Sequence, residues 1–210
     1  MNANVICVRH EDAVLNRILD RAPNGYILMG GAARSLYSGE PVKDYDFAFC
    51  STEQRHAFVD HLNEIGAVKV AETRGEDGNK TCEDFRLPFE DGTYAYIQCK
   101  CEFYKTAWQV WHATDFTIVQ FCYIDGALMA SEEAVYDSDH KILRLHHVYG
   151  PESTLMRIQR FIEKGYQPAN GSAFYAELVR KIRALPENRI NKPLLKRVRK
   201  EQVVTRAEHG

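Results

Sequence analysis

The chain has 210 residues, enough for one substantial domain with a short appendage, and its 45% hydrophobic and 27% charged content is that of an ordinary globular protein, not a disordered one. A formal net charge of −2 excludes a global electrostatic pull toward nucleic acid, so any such attraction must come from local patches. No window approaches the roughly 20 apolar residues of a membrane span, and the N-terminal stretch lacks the apolar core and cleavage site of a signal peptide. Six scattered cysteines without a CxxC pair read as reduced thiols of a cytoplasmic protein.

In chain order, Ala13, Val14, Ile18 and Leu19 recur at helical spacing and predict a helix over 11–21, stopped by Pro23-Asn24-Gly25. A short buried strand over 26–29 runs into Gly30-Gly31, a helix over 32–37 starts directly after them, and 38–41 is a turn. A second strand covers 46–49, and Ser51 caps a helix reaching 63, with Gln54 at the capping-box position. Strand-like runs follow at 67–72, 82–87 and 93–103, the first two separated by a glycine-rich charged loop. Thr114-Asp115 precedes an apolar run over 116–122, which predicts a helix capped by one of them.

From Pro151 the character changes. Leu155, Ile158, Gln159 and Ile162 repeat with helical period, Phe174, Leu178, Ile182 and Leu185 form a second stripe, and Pro193 suits the first turn of a third helix. The expectation is an α/β or α+β domain over 1–150 followed by a helical segment over 151–210.

Chemistry concentrates in YILMGGAARSLYSGEPVKDYDFAF. Asp44 and Asp46 flank Tyr45, and the alternation of a strand puts residues i and i+2 on one face, so the two carboxylates converge. Carboxylates in such a pair bridge two metal ions, Mg2+ or Mn2+, in phosphoryl and nucleotidyl transfer. The free N–H groups of the helix after Gly30 and Gly31 suit the phosphates of a nucleoside triphosphate, and Arg34, one turn in, adds a charge-assisted contact. Either element alone is an ordinary turn. Together, in this order, they point to a site for metal and triphosphate.

This segment resembles the head-domain signature of the class II tRNA nucleotidyltransferase (CCA-adding enzyme) and bacterial poly(A) polymerase family: two glycines, an arginine, a leucine and glycine, then DxD. Asp115-Phe116-Thr117-Ile118 is similar to the family's RRDFTINAL segment, and Arg157-Ile158-Gln159-Arg160-Phe161 with Gly165-Tyr166 to its neck helix. The resemblance implies a nucleotidyltransferase (polymerase β-like) head of α+β class, a mixed sheet with flanking helices followed by a short neck-like helical segment. It also implies that the DxD carboxylates bind the catalytic metals, that Gly30, Gly31 and Arg34 hold the triphosphate, and that Asp115, Arg157 and Arg160 line the nucleotide pocket.

Three departures stand out. Ala113 and Thr114 replace two arginines, 150–154 (GPEST) replaces the glutamate-aspartate-x-x-arginine that reads ATP and CTP, and no third carboxylate has a clear match, since the strand offers Gln98.

A basic cluster near the C-terminus, including Lys192, Lys196, Arg197, Arg199 and Lys200, is either a grip for a phosphate backbone or a solvated helical face. Tyr104, Trp108 and Trp111 are either base-stacking residues or core. His112, His146 and His147 sit at no metal-ligand spacing. The expected activity is transfer of a nucleoside monophosphate from an NTP to an acceptor hydroxyl, an RNA or tRNA 3′ end by resemblance, with release of pyrophosphate. The alternatives are a small-molecule or protein acceptor, or a degenerate member that binds nucleotide or RNA without catalysis.

Overall fold

The computed structural model describes residues 4–75 and 77–186 and the backbone of 196–199. The first half of the chain comprises β1 (Asn4–Ile6), α1 (Ala13–Leu19), β2 (Tyr26–Met29), α2 (Gly30–Ser38), β3 (Tyr45–Phe49), α3 (Thr52–Glu64), β4 (Val68–Arg74), β5 (Lys80–Pro88) and β6 (Tyr94–Phe103). Then come α4 (Ala107–His112), a 3-10 turn (Thr117–Val119), β7 (Phe121–Ile124), β8 (Ala127–Ala130), α5 (Glu132–Asp139), β9 (Ile142–Leu143), α6 (Pro151–Glu163), β10 (Gln167–Pro168), α7 (Ser172–Arg183) and β11 (Lys196–Arg199).

Among the described residues nine strands form one mixed sheet in the order β1-β8-β7-β2-β3-β6-β5-β4-β11. β3 lies at its centre and runs parallel to β6, while β2 beside it is antiparallel to both β3 and β7. Alternation along these strands divides the apolar residues between two faces. Leu28, Phe47 and Phe49 pack with Leu15, Ile18, Phe58 and Leu62 in the main core, where Phe47 and Phe58 meet at 4.6 Å between ring centroids. Ile27 and Ala48 face the other way, onto Val110 and Trp111 of α4. A third cluster ties Phe116 and Ile118 to Ile158 of α6, Tyr166, and Phe174 and Leu178 of α7. The protein is therefore of α+β class, with helices packed against a mixed sheet. No helix among the described residues is long and apolar enough to cross a membrane.

Two predicted helices are strands. The run at 116–122 is a 3-10 turn followed by β7, not a helix capped by Thr114 or Asp115. Its β-branched and aromatic residues pair with β2 and β8, and Asp125-Gly126, both at positive φ (48° and 84°), close a two-residue hairpin. Thr117 is further held by its hydroxyl donating to the buried Asp137 at 2.5 Å. Near the C-terminus, Lys196–Arg199 pairs antiparallel with β4 and is not part of a helix from Pro193, because that edge offers unpaired N–H and C=O groups. Lys192 and Lys200 lie outside the described residues, and only the backbone of Lys196, Arg197 and Arg199 is described.

Smaller differences are informative too. α2 begins at Gly30 itself, not after the glycines. Ser51 caps α3 by accepting from the N–H of Gln54, but the Gln54 carbonyl oxygen has no partner, so the return half of the capping box is missing. On α6 the buried positions are Thr154 and Ile158, whereas Leu155 and Ile162 of the expected stripe are exposed.

Candidate active site

The site begins where β2 hands the chain to α2. Gly30 has φ +67°, a left-handed conformation that glycine takes without strain, and a side chain added at Gly30 or Gly31 would enter open space. α2 has no side-chain cap at its N-terminus, so its first N–H groups face that space unclaimed. Met29 pairs with Asp46 across the β2–β3 ladder, which brings the helix start beside the carboxylates.

Asp46 lies on the face of β3 opposite the aromatic core, and Asp44 precedes the strand by one residue. The structure brings the two together electrically: burial, and then the charge of Asp46, push the Asp44 carboxyl above its ordinary value, against the pull of Lys43, Lys100 and Arg160. Asp46 Oδ1 is buried and accepts no hydrogen bond of good geometry, although Lys100 Nζ approaches it to 2.8 Å. Two half-buried carboxylates that repel each other, one of them approached by a single lysine ammonium, fit a hard divalent cation whose other ligands come from triphosphate and water. Among the described residues no cluster of three or more His, Cys, Asp or Glu side chains forms a complete protein metal cage.

Arg34 is elsewhere than expected. Its side chain is 2% exposed and engaged by the protein: Nη2 donates to Glu40 Oε2 at 2.7 Å and Nη1 donates to the Tyr166 hydroxyl. Its guanidinium also lies 5.5 Å from the Phe161 ring centroid and 5.3 Å from that of Tyr166. Glu40 collects Arg34, Tyr166, Lys141 and Lys164; burial alone would raise its pKa, but these donors hold it at about 2. Arg34 is thus a joint between α2 and the segment around α6.

Asp115 and Arg157 do meet. The buried Asp115 accepts from Arg157 Nη1 and from Thr154 Oγ1 at 3.0 Å, and its backbone carbonyl accepts from His146 N at 2.7 Å. It anchors α6 through its side chain and does not cap a helix. Arg157 is still half exposed, and Arg160 is exposed on the same helix and close enough to pull down the Asp44 carboxyl. Asp44, Asp46, Gly30, Gly31 and Arg160 therefore share one end of the sheet, Asp115 and Arg157 border it, and Arg34 is withdrawn.

Two neighbourhoods are not evident in the sequence. Lys100 faces the carboxylates because β6 runs parallel to β3 with Gln98 opposite Asp46, a pairing that no local pattern signals. His112, His146 and His147 form a cluster, with His146 and His147 rings 4.2 Å apart and Trp108 stacked on His112 at 3.6 Å. Burial first, then His147, His112 and Lys181, lower the His146 pKa to about 4. Trp111 is core, Trp108 is 48% exposed, and Tyr104 donates to Glu102 at 2.6 Å.

A family model, described as "Gabija anti-defense 2 family protein", matches residues 8–141, more than half of the chain. The chain belongs to the Gabija anti-defense 2 family. That match covers β2 to β8 and the carboxylate site, and ends before α6. A comparison with curated proteins finds no match.

Among solved structures, the fold is similar to that of a tRNA-processing enzyme in an apo form (TM-score 0.54, 16% identity, 79% of this chain and 45% of that one). It is also similar to a CCA-adding enzyme in an apo form (TM-score 0.52, 15% identity, 80% and 41%). A third is the Thermotoga maritima CCA-adding enzyme complexed with tRNA (TM-score 0.51, 15% identity, 84% and 48%). At such identities the likeness establishes the nucleotidyltransferase head fold for this Gabija anti-defense 2 family member. The chain spans less than half the length of these proteins.

Proposed function

We propose that the protein is a metal-dependent nucleotidyltransferase that moves a nucleoside monophosphate from an NTP to an acceptor hydroxyl and releases pyrophosphate. The observation that carries this reading is the convergence of the Asp44–Asp46 pair with the uncapped, glycine-lined start of α2. Asp44 and Asp46 would hold Mg2+ or Mn2+. The bound metal neutralises phosphate charge and lowers the pKa of the attacking hydroxyl. The N–H groups that follow Gly30 and Gly31 hold phosphate oxygens, and Arg160 adds positive charge from α6. Asp115 fixes Arg157 at the border of the pocket, where its exposed guanidinium meets the nucleotide. In this reading 1–150 supplies the transfer chemistry and 151–210 is a neck-like segment that closes one side of the nucleotide pocket.

Thr154 stands where the resembling family has its base-reading arginine, and its hydroxyl is committed to Asp115. Choice among bases is accordingly weak. The first acceptor is an RNA 3′ end, supported by the basic residues Lys192, Lys196, Arg197, Arg199 and Lys200 and by the tRNA complex of the T. maritima neighbour. A second acceptor class, a protein or small molecule, is favoured by the family's description, which points to counter-defence.

The test is incubation with each α-labelled NTP, Mg2+ or Mn2+, and either total RNA or a cell lysate. Label that appears on RNA supports the first acceptor, and label on protein or small molecules the second. In either case it must vanish in Asp44→Ala/Asp46→Ala. Nucleotide binding without transfer to any acceptor would leave the protein a non-catalytic binder and refute the enzymatic reading.

A further inference from the structure

Lys100 lies two residues beyond Gln98 on β6, so both side chains stand on the sheet face that carries Asp46. Its Nζ is 2.8 Å from Asp46 Oδ1 and donates to Gln98 Oε1 at 3.2 Å. The Gln98 amide has one orientation only, because its Nε2 donates at 2.8 Å to Oδ1 of Asp84, which is fully buried. The file Asp84–Gln98–Lys100–Asp46 thus aims a carbonyl oxygen at the ammonium and keeps that ammonium against the carboxylate. An ammonium at this position and a magnesium ion at its usual distance of about 2.1 Å from the same carboxylate would stand only a few ångströms apart and repel, so each weakens the hold of the other.

We propose that Lys100 is a resident counter-cation of the carboxylate pair. It competes with a free divalent cation for Asp46, and it yields when metal arrives together with a nucleoside triphosphate, its ammonium then turning to a phosphate oxygen. This rests on the reading of Asp44 and Asp46 as the metal-holding pair. Four rotatable bonds let the lysine head move without any shift of β6, which the shorter Gln98 and the buried Asp84 do not share. The consequence is coupled binding: metal alone binds weakly, and metal with triphosphate binds well.

Calorimetric titration with MnCl2, alone and with α,β-methylene-ATP, tests this without reference to activity. Lys100→Met should bind Mn2+ alone about tenfold more tightly than wild type, equivalent to about 1.4 kcal/mol, and should bind the metal–nucleotide pair more weakly. Gln98→Leu keeps the lysine but removes the oxygen that aims it, and should shift Mn2+ affinity the same way by less; it decides the matter if Lys100→Met does not fold. Equal Mn2+ affinity in wild type and both variants would overturn the role of Lys100 while leaving the metal site standing. Absence of Mn2+ binding in every protein, with or without the analogue, would refute the metal site and this proposal together.

Discussion

At the joint between α2 and α6, charges are spent on one another. Arg34 is buried against Glu40, Tyr166 and the Phe161 ring, and Glu40 also takes Lys141 and Lys164. At the carboxylate end, roughly the same inventory of acids and bases is left in opposition: Asp44 is pushed up by burial and by Asp46, and Arg160 stands exposed nearby. Desolvating a charge is costly unless its partners are supplied in place. The joint supplies most of them from the chain, whereas at the carboxylate end Lys100 meets Asp46 and the mutual repulsion of the pair is left for a ligand to relieve. An arginine inside a nucleotide-binding motif can therefore belong to the scaffold, and its partners decide the matter better than its position in the motif.

The largest effect that would break this contrast is on transfer. Asp44→Ala/Asp46→Ala should lower the rate of label transfer by about a thousandfold or more, while its melting temperature changes little, because the repulsion removed offsets the loss of the Lys100–Asp46 pair. A sharp fall in melting temperature would place the pair in the scaffold instead.

Next comes the joint. Arg34→Leu takes the one buried charge from the half-buried Glu40, which keeps Tyr166, Lys141 and Lys164, and should cost about 2–3 kcal/mol, a fall of roughly 5–10 °C in melting temperature for a chain of this size. Asp115→Asn weakens the anchor of α6 and should cost about 1–3 kcal/mol in chemical denaturation. Arg160→Ala should change stability by less than about 0.5 kcal/mol and weaken NTP binding several-fold in a filter-binding titration.

The smallest effect is a pH dependence. His146 has a folded-state pKa of about 4, below its ordinary 6.5. The fold thus favours the neutral ring, and the unfolded chain takes up the proton first. Its contribution is present above pH 6.5 and is lost as pH falls toward 4. Melting temperature should drop between pH 7 and pH 5, and drop less in His146→Gln.

How much of this was legible in the sequence depends on range. The strand–Gly30–Gly31–helix turn and the Asp44/Asp46 pair are local patterns, and the structure keeps both. The role of Arg34 is not local, since Tyr166 lies 132 residues away and the motif hides the partner. Lys100 became a neighbour of Asp46 only through a parallel pairing after three intervening elements. The error at 116–122 came from a short apolar run, in which helix and strand periods are hard to separate. Asp125-Gly126 carried the hairpin signal that would have corrected it.

The account turns on one comparison of rates: transfer of label from an α-labelled NTP by wild type, Asp44→Ala/Asp46→Ala and Arg34→Lys, measured at a temperature where all three are folded. The expected result is loss of transfer in the carboxylate variant and near wild-type transfer in Arg34→Lys. Undiminished transfer without the two carboxylates, or loss of transfer in a folded Arg34→Lys, would contradict it.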